Sequence, residues 1–96
     1  MLILVSYDVS TETAAGRRRL RRVAKVCLNY GQRVQKSVFE CQVNAALLES
    51  LKSELLDIID QEEDSLRIYR IVEPLSKNLM EFGKFKAVDF RAALIV

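Results

Sequence analysis

Residues 2–30 read LILVSYDVSTETAAGRRRLRRVAKVCLNY, and the fold turns on a change of period inside them. Leu2 to Asp8 is nearly continuous apolar and β-branched, the pattern of a strand covered on both faces. Val9-Ser10-Thr11-Glu12-Thr13 is a polar loop rich in helix-capping side chains. From about Gly16 the apolar residues recur at helical spacing. Leu20, Val23, Ala24 and Cys27, with Tyr30 one turn further on, predict a buried stripe. Gly31 stands where a helix ends most easily through a residue of positive φ.

Outward from that unit, Arg33 to Val43 reads as extended chain whose alternation slips near Ser37. It predicts either two short strands or one strand with a bulge. Asn44 caps a second helix running to about Asp60, with Leu47, Leu48, Leu51, Leu55, Ile58 and Ile59 on one face. Acid-rich Gln61 to Asp64 is a turn, Leu66 to Val72 a strand, and Pro74 ends it. Leu75, Leu79 and Phe82 fit one or two helical turns or a loop before Gly83, and Ala87 to Val96 reads as a closing strand. Strands alternating with amphipathic helices predict an α/β protein, an α+β sandwich with both helices on one side of the sheet. The natural solution is ferredoxin-like βαββαβ with an extra C-terminal strand, in one domain spanning residues 1–96.

Composition narrows the function. Of 96 residues, 50% are hydrophobic and 29% charged, with 3 Gly and 1 Pro, which excludes disordered and collagen-like chains. The longest apolar runs are about five residues, against about 20 for a membrane span, and no basic apolar leader precedes the first strand. Two cysteines, Cys27 and Cys41, are too few for a disulfide scaffold. A soluble cytoplasmic protein without a membrane partner is the expectation. There is no histidine, which removes His-based acid–base catalysis, His-dependent triads and the usual zinc sites. Any chemistry must come from carboxylates, Tyr, Ser, Arg, Lys or a hard metal ion.

The formal net charge of +2 conceals opposed blocks. Residues 1–43 hold eight Lys/Arg against three acids, residues 44–64 one against seven, and residues 65–96 six against three. A basic face and an acidic face follow. Within the basic block Arg17, Arg21 and Lys25 form one helical stripe and Arg18 with Arg22 another, both off the Leu20/Val23/Cys27 face. Arg17 to Arg19 crowd a helix N-terminus, where the macrodipole disfavours cations, and like charges at i,i+4 add to the cost. A sequence that carries both penalties points to an anionic partner, most simply phosphate. No aromatic residue interleaves with the run, so backbone contact is expected and not base reading.

Asp8 interrupts an apolar strand at its C-terminal end, where α/β proteins place ligands. It either caps the following loop or binds a cation. One carboxylate does not build a magnesium site, but a two-fold dimer apposing Asp8 from each chain supplies two. Cys27 and Cys41, Tyr7 and Phe39 read as core packing, Ser10 as a loop cap, and Glu40 with the Glu62-Glu63-Asp64 cluster as solvated surface.

Three stretches converge: Tyr7-Asp8-Val9-Ser10, the Gly16-Arg-Arg-Arg-Leu-Arg-Arg22 helix, and Tyr30-Gly-Gln-Arg-Val-Gln-Lys-Ser-Val-Phe-Glu-Cys41. Together they resemble the small universal CRISPR-associated adaptation protein family, the CRISPR-associated endoribonucleases. Length and element order match over the whole chain, residues 1–43 carry most of the likeness, and the ending Ala87 to Val96 resembles one branch. The resemblance implies a ferredoxin-like homodimer with sheets face to face, in which residues 75–96 extend to join the partner's sheet. It implies Mg2+ held by Asp8 of both subunits, and cleavage of single-stranded RNA or duplex DNA. It also implies a duplex bound by the dimer while it bridges copies of the CRISPR integrase during spacer acquisition. Tyr7, Asp8, Arg33 and Phe39 correspond to motif positions tied to activity in the family. The first-helix arginines Arg17, Arg18, Arg21 and Arg22 match those of the family in kind, and with Lys25 they are the expected nucleic-acid-binding residues.

Two mechanisms of different class follow. In one, paired Asp8 carboxylates hold magnesium for phosphodiester hydrolysis, with Arg33 or a first-helix Arg neutralising a phosphate oxygen. In the other, the arginine stripes clamp a duplex backbone and the protein is a scaffold. The missing second acid near Asp8 favours the scaffold. A toxin-type ribonuclease of the virulence-associated D class, which shares the fold, is the third reading.

Overall fold

A computed structural model describes residues 1–84. Along the chain run β1 (Leu2–Asp8), α1 (Ala14–Tyr30), β2 (Gly31–Gln35), β3 (Val38–Gln42), α2 (Ala45–Ile58), β4 (Ser65–Ile71) and the short α3 (Leu75–Asn78). The first six form a ferredoxin-like βαββαβ unit whose sheet has the order β2-β3-β1-β4 with antiparallel neighbours. The closing strand expected over Ala87–Val96 lies outside the described residues. No helix among the described residues is long and apolar enough to cross a membrane.

Both long helices start where the sequence offers a cap. Thr13 Oγ1 accepts the Gly16 N–H at 3.0 Å, so α1 begins two residues before Gly16. Asn44 Oδ1 accepts the Leu47 N–H at 2.8 Å at the head of α2. Leu51 and Leu55 of α2 and Val23 and Cys27 of α1 are buried against Ile3, Val5, Tyr7, Phe39 and Cys41 of the central strands. Leu47, expected on the same face, is 44% exposed, and Leu48, Ile58 and Ile59 are half-buried. The fourteen-residue helix covers the sheet only through its middle turns.

β1 is not covered equally on its two faces. Successive side chains point to opposite sides of a strand. Ile3, Val5 and Tyr7 meet the helices, while Leu4 and Ser6 on the other side are half-buried and Asp8 is exposed. The apolar run therefore reflects one helix-packed face and one uncovered face.

Two expectations about local chain path change. Gly31 does not close α1 with positive φ; at φ −170° it is already extended and opens β2. Glycine is required there because a Cβ would collide with the Glu40 carbonyl oxygen and the Cys41 side chain across the hairpin. The two alternatives for Arg33–Val43 prove to be one structure. β2 and β3 pair as a hairpin turning at Lys36-Ser37, and their register slips between Arg33 and Gln35.

Candidate functional site

Around the C-terminal half of β1 lie Tyr7, Asp8, Phe39 and Arg33 of the residues the sequence singled out, and the strand's alternation divides them. Tyr7 points into the helix-covered side, where its ring stacks on Phe39 with centroids 6.1 Å apart and planes at 21°. Arg33, exposed on the neighbouring strand, lays its guanidinium carbon 5.1 Å from the centre of the same Phe39 ring. The Tyr7 hydroxyl donates to the Lys36 carbonyl at 3.4 Å. Burial pushes the Tyr7 phenol up, and the nearby Arg33 guanidinium pulls it partly back. Tyr7, Phe39 and Arg33 are thus brought together. Phe39 is fully buried and Tyr7 nearly so, so Arg33 is the member that solvent and a ligand reach.

Asp8 faces the other way. It is exposed on the uncovered face, opposite Ser65 in the β1–β4 register, and its carboxylate has no ion-pair or hydrogen-bond partner among the described residues. Among the described residues no three His, Cys, Asp or Glu side chains gather to hold a metal ion. Among the described residues Asp8 is thus not part of a ligand cluster of that size. Magnesium sites use one or two carboxylates completed by water and substrate phosphate, so the exposed Asp8 carboxylate suits that ion in kind, and a second copy apposing its own Asp8 would supply a second ligand.

The helix arginines separate just as clearly. Arg17, Arg18, Arg21, Arg22 and Lys25 are all exposed, and none is in an ion pair among the described residues. Arg17 donates to the Thr11 carbonyl at 3.0 Å, which holds it along the loop from Asp8. Arg19 behaves differently. It lies i−4 from buried Val23, at the edge of the buried stripe, and binds Asp64 through Nε at 2.8 Å and Nη2 at 3.2 Å. Asp64, expected as solvated surface, is the buried charged residue of the described chain. Its carboxylate also accepts the N–H groups of Ser10 at 3.0 Å and Asp60 at 2.9 Å. Arg19 and the two backbone donors hold it below the usual carboxylate range, and burial opposes them. The signal in the sequence was slight: an arginine in phase with Val23, and an acid placed immediately before a strand.

Cys27 and Cys41 are core residues with free, buried thiols. Burial lifts them to about 12 and about 11, so neither is a nucleophile at neutral pH.

A strand-end acid, an arginine-rich first helix and the Arg33–Phe39 hairpin form a specific combination, and comparison with known proteins places it. The family described as CRISPR associated protein Cas2 matches residues 1–78. The chain belongs to the Cas2 family. It is 65% identical over 96 residues to the CRISPR-associated endoribonuclease Cas2 of Chlorobaculum tepidum, covering 100% of both chains. It is 50% identical over 95 residues to the CRISPR-associated endonuclease Cas2 of Halalkalibacterium halodurans, covering 99% of each. The crystal structure of Streptococcus pyogenes Cas2 superposes with a TM-score of 0.78 at 51% identity, over 86% of this chain and 100% of that one. Membership in the Cas2 family sets aside the toxin-type ribonuclease of the virulence-associated D class.

Proposed function

We propose that this Cas2-family chain works as a homodimer that binds the backbone of duplex DNA within the spacer-acquisition complex of CRISPR defence, in the cytoplasm, with the CRISPR integrase as its protein partner. The observation that carries the reading is the set of five exposed cations on α1, none in an ion pair among the described residues. Such a surface is costly in an isolated protein and favourable against phosphates, whose counterions it releases. The uncovered sheet face, with Leu4 and Val38 half-buried and Tyr69 44% exposed, supports pairing of two copies sheet to sheet. Residues 75–96 are the extension that would reach the partner's sheet.

A second reading is Mg2+-dependent endonuclease action on single-stranded RNA or duplex DNA. Asp8, exposed and without a partner among the described residues, supports it, as do the names of the relatives in Chlorobaculum tepidum and Halalkalibacterium halodurans. Magnesium bound there would supply Lewis-acid activation of water and offset charge on the phosphodiester. Within the chain, Asp8 of each subunit would hold the ion. Arg33, kept in place on the Phe39 ring above Tyr7, would neutralise a phosphate oxygen.

One experiment separates the two. The purified protein and Asp8→Ala are incubated with duplex DNA and with single-stranded RNA, with and without Mg2+, and duplex affinity is titrated against salt. Binding with a steep salt slope, retained in Asp8→Ala, is expected for the scaffold. Metal-dependent cleavage that disappears in Asp8→Ala adds the enzyme. Absence of duplex binding at low salt refutes the proposal.

A further inference from the structure

Asp8 and α1, the helix that carries the arginine stripe, are joined by only five residues, Val9 to Thr13, and that loop is held at several points along its length. Val9 is buried. The Ser10 N–H donates to Asp64 Oδ1 at 3.0 Å, and the Ser10 carbonyl lies so close to α1 that a Cβ on Gly16 would collide with it. The Thr11 carbonyl takes the Arg17 guanidinium, and Thr13 caps the helix. Val9 anchors one end of the loop in the core, and of the loop's hydrogen bonds just described only the one to the Asp64 carboxylate reaches beyond the loop and α1. That carboxylate grips Arg19 on α1 and the Asp60 N–H after α2, immediately before Ser65, which pairs with Asp8. Both carboxylate oxygens accept two hydrogen bonds each, so no lone pair is left for a metal.

We infer that Asp64 is a positioning residue for nucleic-acid binding: it sets the path of the Val9–Thr13 loop and so fixes the α1 cations relative to the Asp8 strand end. The inference rests on the phosphate-binding reading of α1. An ordinary structural ion pair would need only opposite charges at positions 19 and 64. This site needs two acceptor oxygens at 64 in particular, because the Ser10 and Asp60 N–H groups point at different ones, and a guanidinium there would confront donors with donors.

The test uses the full chain, a short duplex DNA as probe, and amide hydrogen exchange of the free protein. In Asp64→Asn, Ser10 exchange accelerates about tenfold and duplex affinity falls about fivefold, with unfolding still cooperative and every α1 cation in place. Arg19→Asp combined with Asp64→Arg restores neither property. Arg19→Lys, which keeps the charge and one donor, falls between wild type and Asp64→Asn in both, and it carries the test should Asp64→Asn not fold. The inference is overturned if Ser10 exchange is unchanged in Asp64→Asn, if affinity stays at the wild-type value while Ser10 exchange rises, or if the exchanged pair restores binding. Ser10 exchange is read without nucleic acid. Wild-type protein that fails to bind duplex overturns the functional reading through a separate measurement.

Discussion

Asp8 and Asp64 stand at the same end of two paired strands, and the molecule treats them in opposite ways. Asp8 closes β1, exposed and without a partner among the described residues; Asp64 precedes β4, buried with four hydrogen bonds. An acid whose oxygens are all engaged is part of the framework, since a buried carboxylate persists only when its charge and lone pairs are met. Asp8 has neither oxygen engaged among the described residues, so its carboxylate is open to solvent and to a ligand. The same contrast divides the arginines one helix away: Arg19 is bound within the fold, while Arg18, Arg21 and Arg22 have no ion-pair partner among the described residues.

If the contrast is sound, the two acids fail in different currencies. Asp64→Ala leaves Arg19 and two N–H groups without their acceptor. It should lower the unfolding free energy by about 3 kcal/mol, read by urea denaturation, and a loss no larger than a surface substitution would break the comparison. Asp8→Ala should leave stability within about 0.5 kcal/mol while any magnesium-dependent cleavage falls by about a hundredfold or more. Equal losses of stability in both variants would make Asp8 a framework residue too.

The arginines give a smaller effect of the same form. Arg18→Ala with Arg22→Ala should reduce the log–log salt slope of duplex binding by about 2 for each subunit that contacts the duplex, so by about 4 in the homodimer, with the melting temperature unchanged. If those two arginines proved neutral in binding, the stripe would be no more than a solvated face.

The smallest effect lies in acid. The folded carboxyl of Asp64 is depressed, so its stabilisation is complete above the unfolded value of about 4 and disappears as pH falls through the folded one. The stability gap between wild type and Asp64→Asn should be constant near neutrality and close progressively below about pH 4. A gap that widened in acid would contradict the assigned hydrogen bonds.

Element order was legible because it depends on short-range periodicity and caps. The switch from the Leu2–Asp8 run to the Leu20/Val23/Cys27 spacing, and the caps at Thr13 and Asn44, are local facts that the fold keeps. The slip near Ser37 marked the hairpin, although the sequence left open whether it meant a turn or a bulge, and both are present. The exposed cations and Asp8 were visible for a related reason: charges that disturb an apolar or helical pattern stand out against it. The role of Gly31 was not, because the carbonyl that excludes its Cβ belongs to a residue across the hairpin. Nor was Asp64, whose neighbours in the chain, Glu62 and Glu63, are surface acids of the same kind.

The sequence by itself thus determined the succession of strands and helices, the Cas2-like motifs and the inventory of charged groups, all properties of neighbours along the chain. The tertiary structure alone decided which of those charges are consumed by the fold. Arg19 and Asp64 are 45 residues apart and find each other only when α1 packs beside the entry to β4. Closing that distance and excluding water are what turn two ordinary surface residue types into a buried pair, and only packing does either.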